Sequence, residues 1–92
     1  MRLNRMTDLK LLQFPCRYPI KVMIRTGVAV REHLDAVVQR HAGPLAPDDI
    51  TERPSAQQNF AGITYAITAR DEAHIVALFV ELKDLPGVLM VL

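Results

Sequence analysis

Tryptophan is absent from this chain, and cysteine and serine occur once each, at Cys16 and Ser55. A single thiol excludes an internal disulfide and fits a reducing compartment. One serine, one cysteine and three histidines (His33, His41 and His74) leave little from which to assemble a nucleophile, a base and an orienting carboxylate. No catalytic residue is expected, and the chain reads as a non-enzyme. His33 and His41 are eight positions apart, not the four that would pair them on a helix for a metal, and no metal site is expected. The four glycines are scattered and form neither a dinucleotide-binding nor a phosphate-loop fingerprint, so no cofactor is expected. No apolar run approaches the length needed to cross a bilayer. The opening MRLNRMTDLKLL has cations but no continuous apolar stretch and no small-residue cleavage site, so a secretory signal is not read. A bacterial-type cytoplasmic location away from membranes is the expectation.

What the chain does have is the balance of one globular unit: 92 residues, 50% hydrophobic and 23% charged. Residues 1–10 read as a flexible N-terminal segment and residues 11–92 as a single domain. Charge is unevenly spread. Residues 1–31 hold seven lysines and arginines against one acid, whereas residues 32–92 hold four against nine. Such asymmetry fits either an anion-seeking face or two differently solvated surfaces.

YPIKVMIRT, residues 18–26, alternates with Ile20, Val22 and Ile24 on one side and Lys21, Met23 and Arg25 on the other, the pattern of a central strand. Pro15 and Pro19 keep a helix from running into it. From Val28 to Ala42 the period becomes 3.6, with Val30, Leu34, Val37, Val38 and His41 on one face and Arg31, Glu32 and Asp35 turned outward. Thr26 or Gly27 opens this helix, and Gly43 with Pro44 ends it. Residues 49–54 read as a short edge strand, and SAQQN as a polar loop. Phe60 to Ala69 alternates strongly, with Ile63, Tyr65 and Ile67 inward. Asp71 to Leu85 is a second amphipathic helix, for which Thr68 and Asp71 resemble a capping box. Pro86 and Gly87 stop it, and Val88 to Leu92 is a last strand.

The order β-α-β-β-α-β, with right-handed crossovers, predicts an α+β ferredoxin-like two-layer sandwich with an antiparallel sheet in the order 4-1-3-2. The predicted core is Ile20, Val22, Ile24, Val30, Leu34, Val37, Val38, Ile63, Tyr65, Ile67, Ile75, Leu78, Phe79 and Leu82. Cys16 is expected to be a buried, inert thiol, and His41 to serve structure or the helix dipole.

FPCRYPIKVM, VVQRHA, RPSAQQNF and the ending LKDLPGVLMVL resemble the small bacterial YbeD family of uncharacterised function, over about residues 9–92. Members of that family usually carry glycine directly after KVM, where this chain has Ile24 and places its glycine at Gly27. The resemblance implies a ferredoxin-like domain similar to the ACT regulatory domains, and a role as a lipoate-linked regulatory protein.

Two surfaces are candidates for function. The open face of the sheet should present Lys21, Met23, Thr64 and Ala66. It lacks the aromatics on which an RNA-recognition domain stacks bases, and nucleic acid is not an expected partner. Small outward positions suit another sheet, a protein partner or the chain's own apolar Leu9 to Phe14 segment. The second candidate is the end of the first strand. There Arg25, Thr26 and Gly27 should meet the loop carrying Ser55, Gln57 and Asn59, offering a charge, a helix N-terminus and close backbone approach to a carboxylate or phosphate. A regulatory module with a small carboxylate effector at that end is the leading reading. The alternative is a protein-interaction adaptor, acting through the open face or an edge strand as a homodimer or with another protein, without a small ligand.

Overall fold

The computed structural model describes residues 13–26, 30–55 and 59–92. Strand β1 (Cys16–Arg25) leads to helix α1 (Val30–Ala42), a 3-10 turn (Pro47–Asp49), β2 (Ile50–Pro54), β3 (Phe60–Ala69), helix α2 (Glu72–Lys83) and β4 (Val88–Val91). The sheet order is β2-β3-β1-β4, with all neighbours antiparallel. This is the ferredoxin-like order expected from the sequence. The segment at residues 1–10 and the apolar positions Leu9, Leu11 and Leu12 lie outside the described residues.

Alternation in β1 buries Tyr18, Ile20, Val22 and Ile24 while their neighbours face outward. β3 does the same with Ile63, Tyr65 and Ile67. Against this inner face pack Val30, Leu34, Val37 and Val38 of α1 and Ile75, Leu78 and Leu82 of α2, forming one hydrophobic cluster. Of the predicted core, Phe79 alone is only half-buried. Phe14 and Cys16 pack partly buried against this same cluster, so Cys16 is half-exposed and not fully enclosed.

β1 starts two residues earlier than the alternation of YPIKVMIRT suggests, and Pro19 lies inside it. The reason is the direction of the odd-numbered N–H groups. Lys21 N–H donates to Leu92 O at 3.2 Å and Arg25 N–H donates to Gly87 O at 2.9 Å, both on the β4 side. The pairing with β4 covers only Val22 to Ile24 and is closed at one end by Lys21 with Leu92, so Pro19 faces the side of β1 beyond its reach. Proline there removes no ladder bond.

The second helix is capped differently from the sequence reading. Asp71, and not Thr68, is its N-cap, and its Oδ1 accepts from His74 N–H at 2.8 Å. Asp71→Ala is expected to cost about 1 kcal/mol in a urea melt, and an unchanged midpoint would show that the cap is not needed. His74, for which the sequence shows no partner, is buried. Its Nε2 donates to the His41 carbonyl at 2.7 Å, and its Nδ1 accepts from Arg70 N–H at 3.1 Å. An otherwise orphaned carbonyl at the end of α1 is thereby satisfied from α2. His41 itself is half-buried with Nε2 2.9 Å from Glu81 Oε1, and Glu81 also pairs with Arg40. A carboxylate partner for His41 therefore exists, but it comes from the other helix.

Asp35 is also corrected. It is half-buried, its Oδ1 accepting from Tyr65 Oη at 2.5 Å and from Arg31 Nε at 3.0 Å, while Arg31 reaches on to Glu52. One side chain thus ties α1 to the central strand β3, and its neighbour Arg31 ties α1 to the edge strand β2.

Candidate functional site

β1 ends on the outward-facing Arg25, whose cross-strand partner is Phe60 at the start of β3. Two main-chain bonds brace this end: Arg25 N–H to Gly87 O, and Thr26 N–H to Asn59 O at 3.2 Å. Ser55 closes the other side. Its N–H donates to Phe60 O at 2.8 Å and its Oγ accepts from Phe60 N–H at 3.3 Å. The Ser55 hydroxyl therefore holds the ends of the β2–β3 connection together. Arg25, Thr26, Asn59 and Phe60 line an open hollow of about 370 Å³.

Of the six residues expected to converge here, Arg25, Thr26 and Asn59 do so, and Ser55 anchors the adjoining turn. Gly27 and Gln57 lie outside the described residues. Phe60 was not foreseen as part of the hollow. Its signal was available in the pairing register, which sets the outward position of β3's first residue beside Arg25. Phe60 is 37% exposed, enough to offer an apolar wall. Among the described residues Arg25 has no carboxylate partner, whereas Arg17 is paired with Asp49 and Arg31 with Asp35 and Glu52. The hydrogen bond from Arg17, followed by that from Ala46 N–H, holds the Asp49 carboxyl below the usual carboxylate range. The hollow can seat a small anion against Arg25, with the Thr26 and Asn59 side chains as polar neighbours.

On the open sheet face, Lys21 lies opposite Thr64, Met23 opposite Gly62, and Ala66 opposite Pro19. A second hollow of about 280 Å³ is lined by Lys21, Thr51, Arg53, Gly62 and Thr64. Two of its lining residues, Lys21 and Thr64, were named from the sequence, and Met23 and Ala66 flank them. Among the described residues no helix is long and apolar enough to cross a membrane, and no three His, Cys, Asp or Glu cluster to hold a metal.

A family model described as a protein of unknown function (DUF493) matches residues 9–92. A UPF0250 protein of Leptothrix cholodnii is 38% identical over 85 residues, covering 89% of this chain and 90% of that one. A UPF0250 protein of Shewanella sp. (strain ANA-3) is 36% identical over 84 residues, covering 90% and 92%. Among solved structures, the ACT domain of GTP pyrophosphokinase from Chlorobium tepidum superposes with a TM-score of 0.61 at 13% identity, over 84% of this chain and 97% of that one. Protein HP0495 from H. pylori superposes at 0.66 and 13% identity, over 100% and 97%. At that identity the likeness is one of fold.

Proposed function

The chain belongs to the DUF493 family of proteins of unknown function, and from that membership and its ACT-like fold we propose that it is a non-enzymatic regulatory module whose effector is a small carboxylate bound at the end of β1. The observation that carries this reading is the hollow lined by Arg25, Thr26, Asn59 and Phe60. Its cation has no carboxylate partner among the described residues, it has an apolar wall in Phe60, and it sits on backbone braced from two other segments. A carboxylate head would pair with the Arg25 guanidinium, and a short apolar body would lie on Phe60. Lipoate and octanoate have that form, and the family resemblance makes lipoate the first compound to try.

Thermal melts against lipoate, octanoate, amino acids and nucleotides test the proposal. A carboxylate at a hundred times its Kd adds about 2.7 kcal/mol, which for a domain of this size raises Tm by roughly 10–20 °C. Arg25→Ala should abolish the shift while leaving the unliganded Tm within a few degrees, since Arg25 is exposed. A panel in which no compound raises Tm defeats the effector reading, and a shift that survives Arg25→Ala moves the site elsewhere.

A further inference from the structure

The outward face of the sheet carries more cations than counter-charges. Arg17, at the start of β1, is paired with Asp49 just before β2, while Lys21, Arg25 and Arg53 stand on the rest of the face, where no outward position of β1, β2 or β3 carries a carboxylate. Glu52, the one acid within these three strands, pairs in register with inward-facing Ile63 and contacts Arg31 of α1. Among the described residues neither Lys21 nor Arg53 has an ion-pair partner, although the chain satisfies Arg17, Arg31 and Arg40 with carboxylates.

Gly62 gives this face its shape. It is the one position in the middle of the face with no side chain, and a Cβ there would lie 3.3 Å from Lys21 Cε and 3.2 Å from Met23 Sδ. Lys21 therefore leans over the glycine toward β2, where Arg53 is the cross-strand partner of Gly62. The hollow between them adds the hydroxyl-bearing residues Thr51 and Thr64. Two cations and two hydroxyls around a small floor fit one carboxylate group.

The remaining charge calls for more than one. Arg25 is four residues along β1 from Lys21, about 13 Å at strand rise, too far for a single small anion to bridge. Beside this cationic field, β4 presents Met90, 53% exposed and opposite Met23, and Leu92, just after that strand, is 46% exposed and opposite Lys21. A surface that wants spaced carboxylates on one side and apolar contacts on the other matches an acidic amphipathic segment of a protein. The chain's own residues 1–12 fit poorly, because Arg2, Arg5 and Lys10 outnumber Asp8. Phe14, the last residue of the neighbouring apolar stretch, packs toward the core and not onto this face.

We propose that the open sheet face is a docking surface for an acidic, apolar-flanked segment of a partner protein, with one carboxylate seated over Gly62 between Lys21 and Arg53. This goes beyond the effector reading, and although both use Arg25, it is tested at Lys21 and Arg53, which do not line the effector hollow.

Fluorescence anisotropy with the full chain and a fluorescein-labelled peptide of repeating Glu-Glu-Leu-Ala tests it. The peptide should bind saturably and weaken as salt rises, while the Lys-Lys-Leu-Ala counterpart should not bind. Lys21→Met keeps the stem that covers Gly62 and removes only the charge; combined with Arg53→Gln it should weaken the peptide at least about tenfold with Tm unchanged. Absence of peptide binding, or binding indifferent to the double variant, overturns the proposal. Tighter binding of an oligouridylate than of the peptide would make the face a nucleic-acid surface and equally overturn it. Displacement of the peptide by an equal concentration of inorganic phosphate would reduce it to a single-anion site. The effector shift tested through Arg25→Ala should persist in the double variant, so the two readings fail separately.

Discussion

Gly87→Ala is expected to lower Tm by roughly 10–25 °C. Two costs combine. Gly87 has φ +86°, where an L-residue costs about 1–2 kcal/mol. A Cβ there would also penetrate van der Waals contact with Val30 Cγ2, with Cγ1 and Cβ of the same side chain at 3.4 and 3.5 Å. Val30 is buried at the first described turn of α1 and has no room to retreat, so overpacking adds about 1–3 kcal/mol. Gly43 supplies the internal control. Its φ is +78°, yet nothing lies within 4 Å of the Cβ position, so Gly43→Ala carries the conformational cost alone. Urea melts of the two variants should differ by the overpacking component. Equal losses would show that the turn before β4 does not press on α1. The consequence reaches the candidate site, because the carbonyl of Gly87 is what holds Arg25 N–H at the end of β1.

The elements most legible in the sequence were those with an uninterrupted period. β3 begins at Phe60 and ends at Ala69 as its alternation predicts, and the inward apolar residues of β1 and α1 are buried, with His41 half-buried beside them. Periodicity reports which face a residue takes, and burial follows from the face. It is silent about partners far away in sequence. Asp35 reads as a solvent-facing residue because its position is outward on α1, yet Tyr65, thirty residues on, supplies a donor to it. His74 shows no partner in the sequence because its two ring partners, the His41 carbonyl at the end of α1 and Arg70 N–H, are both main-chain groups and leave no mark in composition. The start of β1 lies ahead of its apolar alternation: Cys16 and Arg17 follow Pro15 and carry no strong inward residue to mark them as strand. At the end of β1, topology alone brought Arg25, Thr26 and Asn59 together. Phe60 required the register as well as the topology.

Tyr65→Phe isolates the bond that couples the two layers. Tyr65 is fully buried, and its hydroxyl donates to Asp35 at 2.5 Å while Arg31 donates to the same carboxylate oxygen. Hydrogen bonds to charged acceptors contribute about 1.5–3 kcal/mol, and phenylalanine fills the same space, so a loss of about 2 kcal/mol at neutral pH is expected. The pH dependence separates this bond from simple packing. Burial, then the hydrogen bond to Asp35 and its charge, push the Tyr65 hydroxyl far above the usual tyrosine range, with Arg31 opposing weakly. Below about pH 10 the phenol is protonated in both folded and unfolded chains, and its full contribution is present. Above that the unfolded chain ionises while the folded one holds its proton, so unfolding releases a proton and stability falls by about 1.4 kcal/mol per pH unit. The phenylalanine variant lacks this loss. The two stability curves, separated by about 2 kcal/mol at pH 8, should therefore converge roughly one and a half units above pH 10. Urea melts of both proteins across that range decide the matter: parallel curves, with the wild type keeping its full advantage at high pH, would show that Tyr65 does not carry the proton that folding protects.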